Sequence, residues 1–425
     1  MMQKTRDEQF RLLVSKTMQN IRQRGTGISV SSLPTANVPI IELVNQLIED
    51  AVALRASDLH LEPRGATIHI RVRVDGELCE MHEPLPIEVH AFLVSRIKII
   101  SGLKITEHRL PQDGHILYTY HGNQVDIRVS TMPVMEGEKV VLRLLNNSQH
   151  LLSLAELEFS PPTEKQFRSL CHRPNGMILL TGPVNSGKTT TLYAAMNDLN
   201  SVHKNLATIE DPVEYRISGI NQTQVNPQIN LTFAQGLRAL LRQDIDILMI
   251  GECRDGETAS IAVRAALTGH LVFSTLHTKN AVQAIVRMLD MGVEPYMLCA
   301  AVDGILAQRL VRRICPQCAE EYLVDPASKE AVFLGEQYVP GMKLMRGCGC
   351  DACGHTGYKG RIALQELLVL DDACRQAIKE QKDMRAMEHL AAATGMLSLL
   401  QDGIAKAAAG KTTLAEVGRV IYGEF

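Results

Sequence analysis

Tryptophan is absent and aromatic residues make up only 4% of the chain, so the stacking platforms that hold single-stranded nucleic acid are not expected. Neither sign of charge is in excess: 44 Lys and Arg face 47 Asp and Glu, for a formal net charge of −3. No general attraction to nucleic acid or anionic lipid follows, and any charge-driven partner must meet a local patch. No apolar run is long enough to span a bilayer, because the longest charge-free stretch, residues 217–237, is full of Asn, Gln and Gly. The polar start MMQKTRDEQF lacks the basic, apolar, small-residue order of a signal peptide, and a cytosolic location is expected. What is present is 45% apolar residues over 425 positions, enough for two or three packed domains at about 150 residues each. Ten cysteines are also present, and in a reducing compartment clustered cysteines are metal ligands more often than disulfides.

Residues 5–24 place Phe10, Leu13, Val14, Met18 and Ile21 at helical spacing, which predicts an amphipathic helix able to dock on its own domain or on a partner. A Gly-, Ser-, Thr- and Pro-rich linker follows, so residues 1–37 read as helix and linker. Residues 38–147 alternate helices with strands around turns at Asp75-Gly76 and His121-Gly122-Asn123, which predicts an α+β domain with a mostly antiparallel sheet. Asp58, His60 and Glu62 share one strand face there, read as a polar surface rather than a metal site. Residues 148–165, with Pro161-Pro162, read as a hinge. From 166 to 310 the short apolar strands MILLTG, LATIED, ILMIGE and LVFSTLH alternate with helices, predicting a parallel sheet covered on both faces. A cysteine module at 311–360 and a helical region at 361–425 complete the chain, with Thr413-Leu-Ala-Glu416 a candidate capping box.

Chemistry concentrates where a strand meets a helix. Gly182-Pro183-Val184-Asn185-Ser186-Gly187-Lys188-Thr189, followed by Thr190, fits a phosphate loop between MILLTG and the helix TTTLYAAMNDL. Backbone N–H groups would cradle phosphates, Lys188 would reach the β/γ phosphates of ATP, and the Thr189 hydroxyl would bind Mg²⁺. Glu252, delivered by the strand ILMI, is the candidate carboxylate for polarising the attacking water. Gly251 stands where many such enzymes carry an aspartate, so the metal shell is expected to be completed by water or by another acid, which Glu210, Asp211 or Glu214 could supply. His270 and His277 bracket the strand LVFSTLH as candidate γ-phosphate sensors, with His277, at the carboxyl end, better placed. Cys315-x-x-Cys318 and Cys350-x-x-Cys353, 31 residues apart, form two thiolate knuckles that predict a closed structural Zn²⁺ site, with Cys348 a competitor for Cys350.

The motifs GPVNSGKTTTLY, TIEDPVEY, LRQDIDILMIGECRD and TGHLVFSTLHTKNA resemble the phosphate loop, Asp box, Walker B segment and His box of the secretion ATPases that power type II secretion and type IV pilus assembly (the GspE/PilB family). ASDLHLEP, LPQDGHI and DIRVSTMPVMEGEKVVLRLL extend the resemblance over about residues 40–370. It implies an α/β fold: a RecA-like P-loop ATPase core preceded by a smaller α+β, PAS-like domain, with a tetracysteine zinc insert and a helical tail. It further implies a homohexamer working through an inner-membrane platform protein, with a cytosolic docking protein as a further candidate partner, while the near-neutral charge leads to the expectation of no direct nucleic-acid contact and of membrane association through partners. By motif position Arg109 and Arg128 would reach the phosphates from the smaller domain, and Glu210 would assist the water or the metal. His115 stands where the family often has arginine, and about 37 residues precede the first domain where longer members carry a whole extra one. The tetracysteine element is typical of assembly and export members and points away from pilus retraction. The competing readings are a hexameric nucleic-acid translocase, disfavoured by the charge, and a non-hydrolysing nucleotide switch.

Overall fold

Alternating apolar residues in the first half and continuous apolar strands in the second produce two different sheets. The computed structural model describes residues 2–24, 38–146 and 151–423, and the chain divides into units Met1–His150 and Leu151–Phe425.

In the first unit, helices α1 (Met2–Arg24), α2 (Val38–Ala53) and α3 (His90–Ile100) accompany strands β1 (Asp58–Arg64), β2 (Thr67–Val74), β3 (Glu77–Glu80), β4 (Leu85–Pro86), β5 (Gln112–Tyr120), β6 (Asn123–Val134) and β7 (Gly137–Asn146). The order is β3-β2-β1-β7-β6-β5 with β4 beside β2, antiparallel throughout. Leu59, Leu61, Ile68, Ile70, Val140 and Leu142 pack with Leu43, Leu47 and Leu93 of the helices. Phe10 and Leu13 join this core, so the first helix docks on its own unit; the linker expected at 25–37 lies outside the described residues. The opposite sheet face is ionic. Glu62 pairs with Arg64, Arg71 and Lys139, and Asp58 with Arg143. Burial would raise the Glu62 pKa, but Lys139 and Arg71 outweigh it and hold the carboxyl at about 2.

The second unit carries helices α4 (Pro161–Cys171) and α5 (Lys188–Leu199) and strands β8 (Gly176–Thr181), β9 (Leu206–Glu210), β10 (Asn221–Gln224), β11 (Ile247–Ile250), β12 (Leu271–Leu276), β13 (Val302–Ile314), β14 (Ala319–Leu323), β15 (Lys343–Gly347) and β16 (Tyr358–Val369). The main sheet runs β10-β9-β11-β12-β8-β13-β16, parallel except for the last pair. Two expectations change here. Residues 148–150 of the expected hinge are not described, and the remainder is packed: Leu154, Leu157 and Phe159 bury beside Phe167 and Tyr193, while Pro161 and Pro162 open α4, where their missing N–H groups cost nothing. The expected limits at 310 and 360 fall inside β13 and β16, which hydrogen-bond to each other, so the cysteine segment is an excursion from one strand pair.

Helices at 372–379, 384–393, 399–408 and 414–422 form the tail. Thr413 caps the last one, its Oγ1 accepting the Glu416 N–H at 3.2 Å. The Glu416 carboxylate does not complete the capping box; it accepts from Arg312 on β13 at 2.5 Å and from Arg419 at 2.9 Å. Burial opposes ionisation, but Arg419 and Arg312 outweigh it and leave the carboxyl at about 2. Removing it strands Arg312 beside the sheet, so Glu416→Ala should cost about 3 kcal/mol in urea unfolding at pH 7. Because the folded pKa is depressed, the contribution is present above the unfolded value near 4.3 and should fade as pH falls towards 2. A cost under about 1 kcal/mol would show that the tail does not depend on this pair.

Candidate active site

The loop after β8 closes on itself because Gly182, Asn185 and Gly187 take positive φ angles of 152°, 63° and 85°. A Cβ on Gly182 would lie 2.3 Å from the Gln308 carbonyl oxygen, and one on Gly187 would lie 2.6 Å from Gln308 Nε2, so neither position admits a side chain. Pro183, Val184 and Asn185 form the exposed rim, Ser186 is buried, Thr189 is exposed and Thr190 half-buried in the first turn of α5. Lys188 is 8% exposed, and its Nζ donates to the carbonyls of Gly182 at 2.8 Å and Pro183 at 2.9 Å. Burial pushes its pKa down to about 8; Glu252 opposes the shift and Arg309 adds to it.

Glu252 lies just past β11, where Arg254 pairs with it and reaches to 3.8 Å from Asp211. His277 Nε2 is 3.6 Å from the other Glu252 oxygen, and its pKa is lowered by burial and then by the Lys188 cation. Gly251 accounts for the missing aspartate: a Cβ there would come within 3.2 Å of Glu210 Cα. The Thr275 hydroxyl donates to the Gly251 carbonyl at 2.7 Å, and Thr278 bonds Thr181 at 2.7 Å, tying the ends of β8, β11 and β12 together.

The structure thus brings Lys188, Glu252 and His277 into one site, while within the same unit Glu210 and His270 have other partners. Glu210 is buried, its carboxylate taken up by Tyr193, by Thr208 at 2.5 Å and by Gln222 at 3.2 Å; burial raises its pKa against these donors. Asp211, 40% exposed and sharing Arg254 with Glu252, is the better placed acid. His270 is at the amino end of β12, the wrong end of a parallel sheet for a nucleotide, and its Nδ1 bonds the Ala265 carbonyl at 3.1 Å. Arg109 and Arg128 belong to the first unit: Arg109 is 89% exposed, 3.5 Å from Glu107, and Arg128 is half-buried on β6 opposite His115 and Arg143. Arg254, Thr278 and Gln308 belong to the site without standing out in the sequence: Arg254 is marked there only as the cation two residues past Glu252, and the Thr278 and Gln308 contacts span 97 and 122 residues and leave no local signal.

Near the end of β13, the Sγ atoms of Cys315, Cys318, Cys350 and Cys353 lie within 4.8 Å of one another. Cys315–Cys350 and Cys318–Cys353 are 3.9 Å apart and Cys350–Cys353 3.8 Å. Sulfurs about 2.3 Å from a tetrahedral centre are about 3.8 Å apart, so this donor set fits Zn²⁺. Burial of Cys353 is outweighed by the N–H groups of Cys350 and Gly357, which lower the thiol to about 6. Cys348 is exposed, turned towards Glu320 and outside the cluster, so Cys350 is the fourth donor.

Residues 35–419 match the model of the family described as Type II/IV secretion system protein. The chain belongs to this family. It is 48% identical over 385 residues to the Type II secretion system ATPase E of Vibrio cholerae, covering 90% of this chain and 76% of that protein. It is 48% identical over 376 residues to the type IV pilus assembly ATPase PilB of Thermus thermophilus, covering 88% of this chain but 42% of that longer protein. Among solved structures, the pilus retraction motor PilT with bound ADP is similar at a TM-score of 0.58 and 26% identity, covering 88% of this chain and 95% of that one. The Legionella pneumophila ATPase DotB, at a TM-score of 0.64 and 21% identity over 91% and 96% of the two chains, shares the fold. This secretion ATPase is therefore an ATPase of the type II secretion or type IV pilus assembly class. No helix among its described residues is long and apolar enough to cross a membrane.

A Lys188 that binds phosphate must be charged, and burial lowers its pKa to about 8, with Glu252, His277 and Arg309 the ionisable groups around it. Above that pH, binding must take up a proton, so the Kd for MgATP should rise by up to about tenfold per pH unit. Lys188→Arg, which does not titrate, should flatten the profile; a wild-type Kd constant from pH 7 to 9.5 would contradict the lowered pKa.

Proposed function

We propose that the chain hydrolyses ATP to ADP and phosphate as a homohexamer, and that the resulting movement of its units drives pilus or secretion-pseudopilus assembly through an inner-membrane platform protein. The observation that carries this reading is the segregation of charge at the site: Lys188 is held by its own loop carbonyls and Glu252 by Arg254 and His277, so an anion can enter between opposite charges that have not neutralised each other. On ATP binding, Lys188 turns from those carbonyls to the β/γ phosphates while the loop N–H groups hold the remaining oxygens. Mg²⁺ bound at the Thr189 hydroxyl would neutralise phosphate charge, with Asp211, which shares Arg254 with Glu252, as the candidate second acid. Glu252, released from Arg254, orients the attacking water, and His277 lies where it can respond to the γ-phosphate. Glu210, bonded to Tyr193 of α5, acts by holding the end of β9 in place. Arg109 and Arg128 are the candidates for stabilising the transferred charge.

Zn²⁺ held by Cys315, Cys318, Cys350 and Cys353 would be structural, since four protein thiolates leave no open position. The protein works in the cytoplasm, at the inner membrane only through its platform partner or a cytosolic docking protein, without touching nucleic acid. The four-cysteine set and the assembly and secretion relatives favour assembly over retraction.

Glu252→Gln should lower kcat by about 10²- to 10⁴-fold while the Kd for ATP stays within about threefold. A variant that turned over within tenfold of the wild type would remove Glu252 from catalysis. The purified chain should hold one Zn²⁺ by atomic emission, and Cys350→Ser should lose it and unfold at lower temperature. Metal-free protein with an unchanged melting temperature would refute the zinc assignment.

A further inference from the structure

Gln308 lies on β13, 2% exposed, directly beneath the phosphate loop. Its Nε2 donates to the Ser186 carbonyl at 2.8 Å, and its Oε1 accepts from the Thr191 hydroxyl at 2.8 Å. One carboxamide therefore spans the last turn of the loop and the first turn of α5. The preceding residue, Ala307, pairs with Thr181 at the end of β8, so the strand is in register with the point where the loop departs. Gly182 and Gly187 pack against Gln308 closely enough to exclude a Cβ at either.

The peptide plane gives this contact a chemical consequence. In a trans peptide the C=O and the following N–H point in opposite directions. Holding the Ser186 carbonyl on the strand side turns the Gly187 N–H away from β13 and towards the face of the loop that receives phosphate. We propose that Gln308 is a positioning residue for ATP: by pinning the Ser186–Gly187 peptide it keeps one phosphate-binding N–H aimed at the ligand before nucleotide arrives. Without that pin the peptide is free to turn over, since glycine at 187 tolerates either orientation, and an anion then meets an oxygen in place of a hydrogen. The Thr191 bond is the secondary half of the strut, orienting the carboxamide so that its NH₂ faces the loop.

The proposal rests on the ATP-binding reading of the phosphate loop. The test compares Gln308→Leu, Gln308→Glu and Thr191→Val in the full chain, reading the Kd of a fluorescent ATP analogue with Mg²⁺, kcat and KM, and the melting temperature without nucleotide. Gln308→Glu, read at a pH where its carboxyl is ionised, still accepts from Thr191 but cannot donate to Ser186. Both Gln308 variants should raise Kd and KM about tenfold with kcat within about threefold, as expected when ground-state and transition-state binding fall together. Thr191→Val should raise Kd by no more than about threefold. Melting temperatures should stay within about 3 °C of the wild type. If Gln308→Leu does not fold, Gln308→Glu, of nearly the same shape, carries the comparison. A Kd within twofold of the wild type in a folded Gln308 variant overturns the proposal, as does Thr191→Val matching the Gln308 variants. Failure of the wild-type chain to bind the analogue would instead strike the ATP-binding reading itself.

Discussion

An ammonium and a carboxylate share one site here while each is held by other partners, and the room for an anion between them depends on that. Left alone at close range in a medium of low dielectric, they would pair and fill the space a phosphate needs. Each has been given other partners. Lys188 is folded back onto the carbonyls of Gly182 and Pro183, weak acceptors that a phosphate can outcompete, and Glu252 is engaged by Arg254 with His277 behind it. Both arrive at the carboxyl ends of parallel strands, so the sheet register determines their separation, and the glycine at 251 lets β11 and β9 approach closely enough for Glu210 to sit beneath.

The strand pair β13–β16 extends this logic to the edge of the sheet. β13 supplies Gln308 to the loop and Arg312 to the buried Glu416, and ends directly before Cys315. The Cys315 N–H bonds the Gly357 carbonyl just ahead of β16, so the four-thiol cluster closes the long excursion between two strands that are already paired. A metal there would clamp a segment whose own apolar core is small, comprising Val324, Ala331, Leu334 and Leu344 against the tail helices.

Much of this was legible because it is local in sequence. A phosphate loop needs glycine and lysine at fixed spacing between a strand and a helix, a four-thiol site needs paired knuckles, and buried parallel strands need unbroken apolar runs. What was not legible depends on contacts across the chain. Glu210 reads as an available acid until Tyr193 and Gln222 enclose it. His270 and His277 look equivalent until strand direction separates them. Pro161-Pro162 reads as a break, yet opens a helix because Leu154, Leu157 and Phe159 are drawn into the core ahead of it. Glu416 matches a capping-box pattern but is claimed by Arg312, 104 residues away.

Whether nucleotide enters between two charges held apart by temporary partners is decided by a structure of the full chain with Mg²⁺ and a non-hydrolysable ATP analogue. Lys188 Nζ should leave the Gly182 and Pro183 carbonyls for the phosphate oxygens, and Glu252 should part from Arg254 to face the γ-phosphate. Bound nucleotide with Lys188 still on its loop carbonyls, or with Glu252 still paired to Arg254, would contradict it.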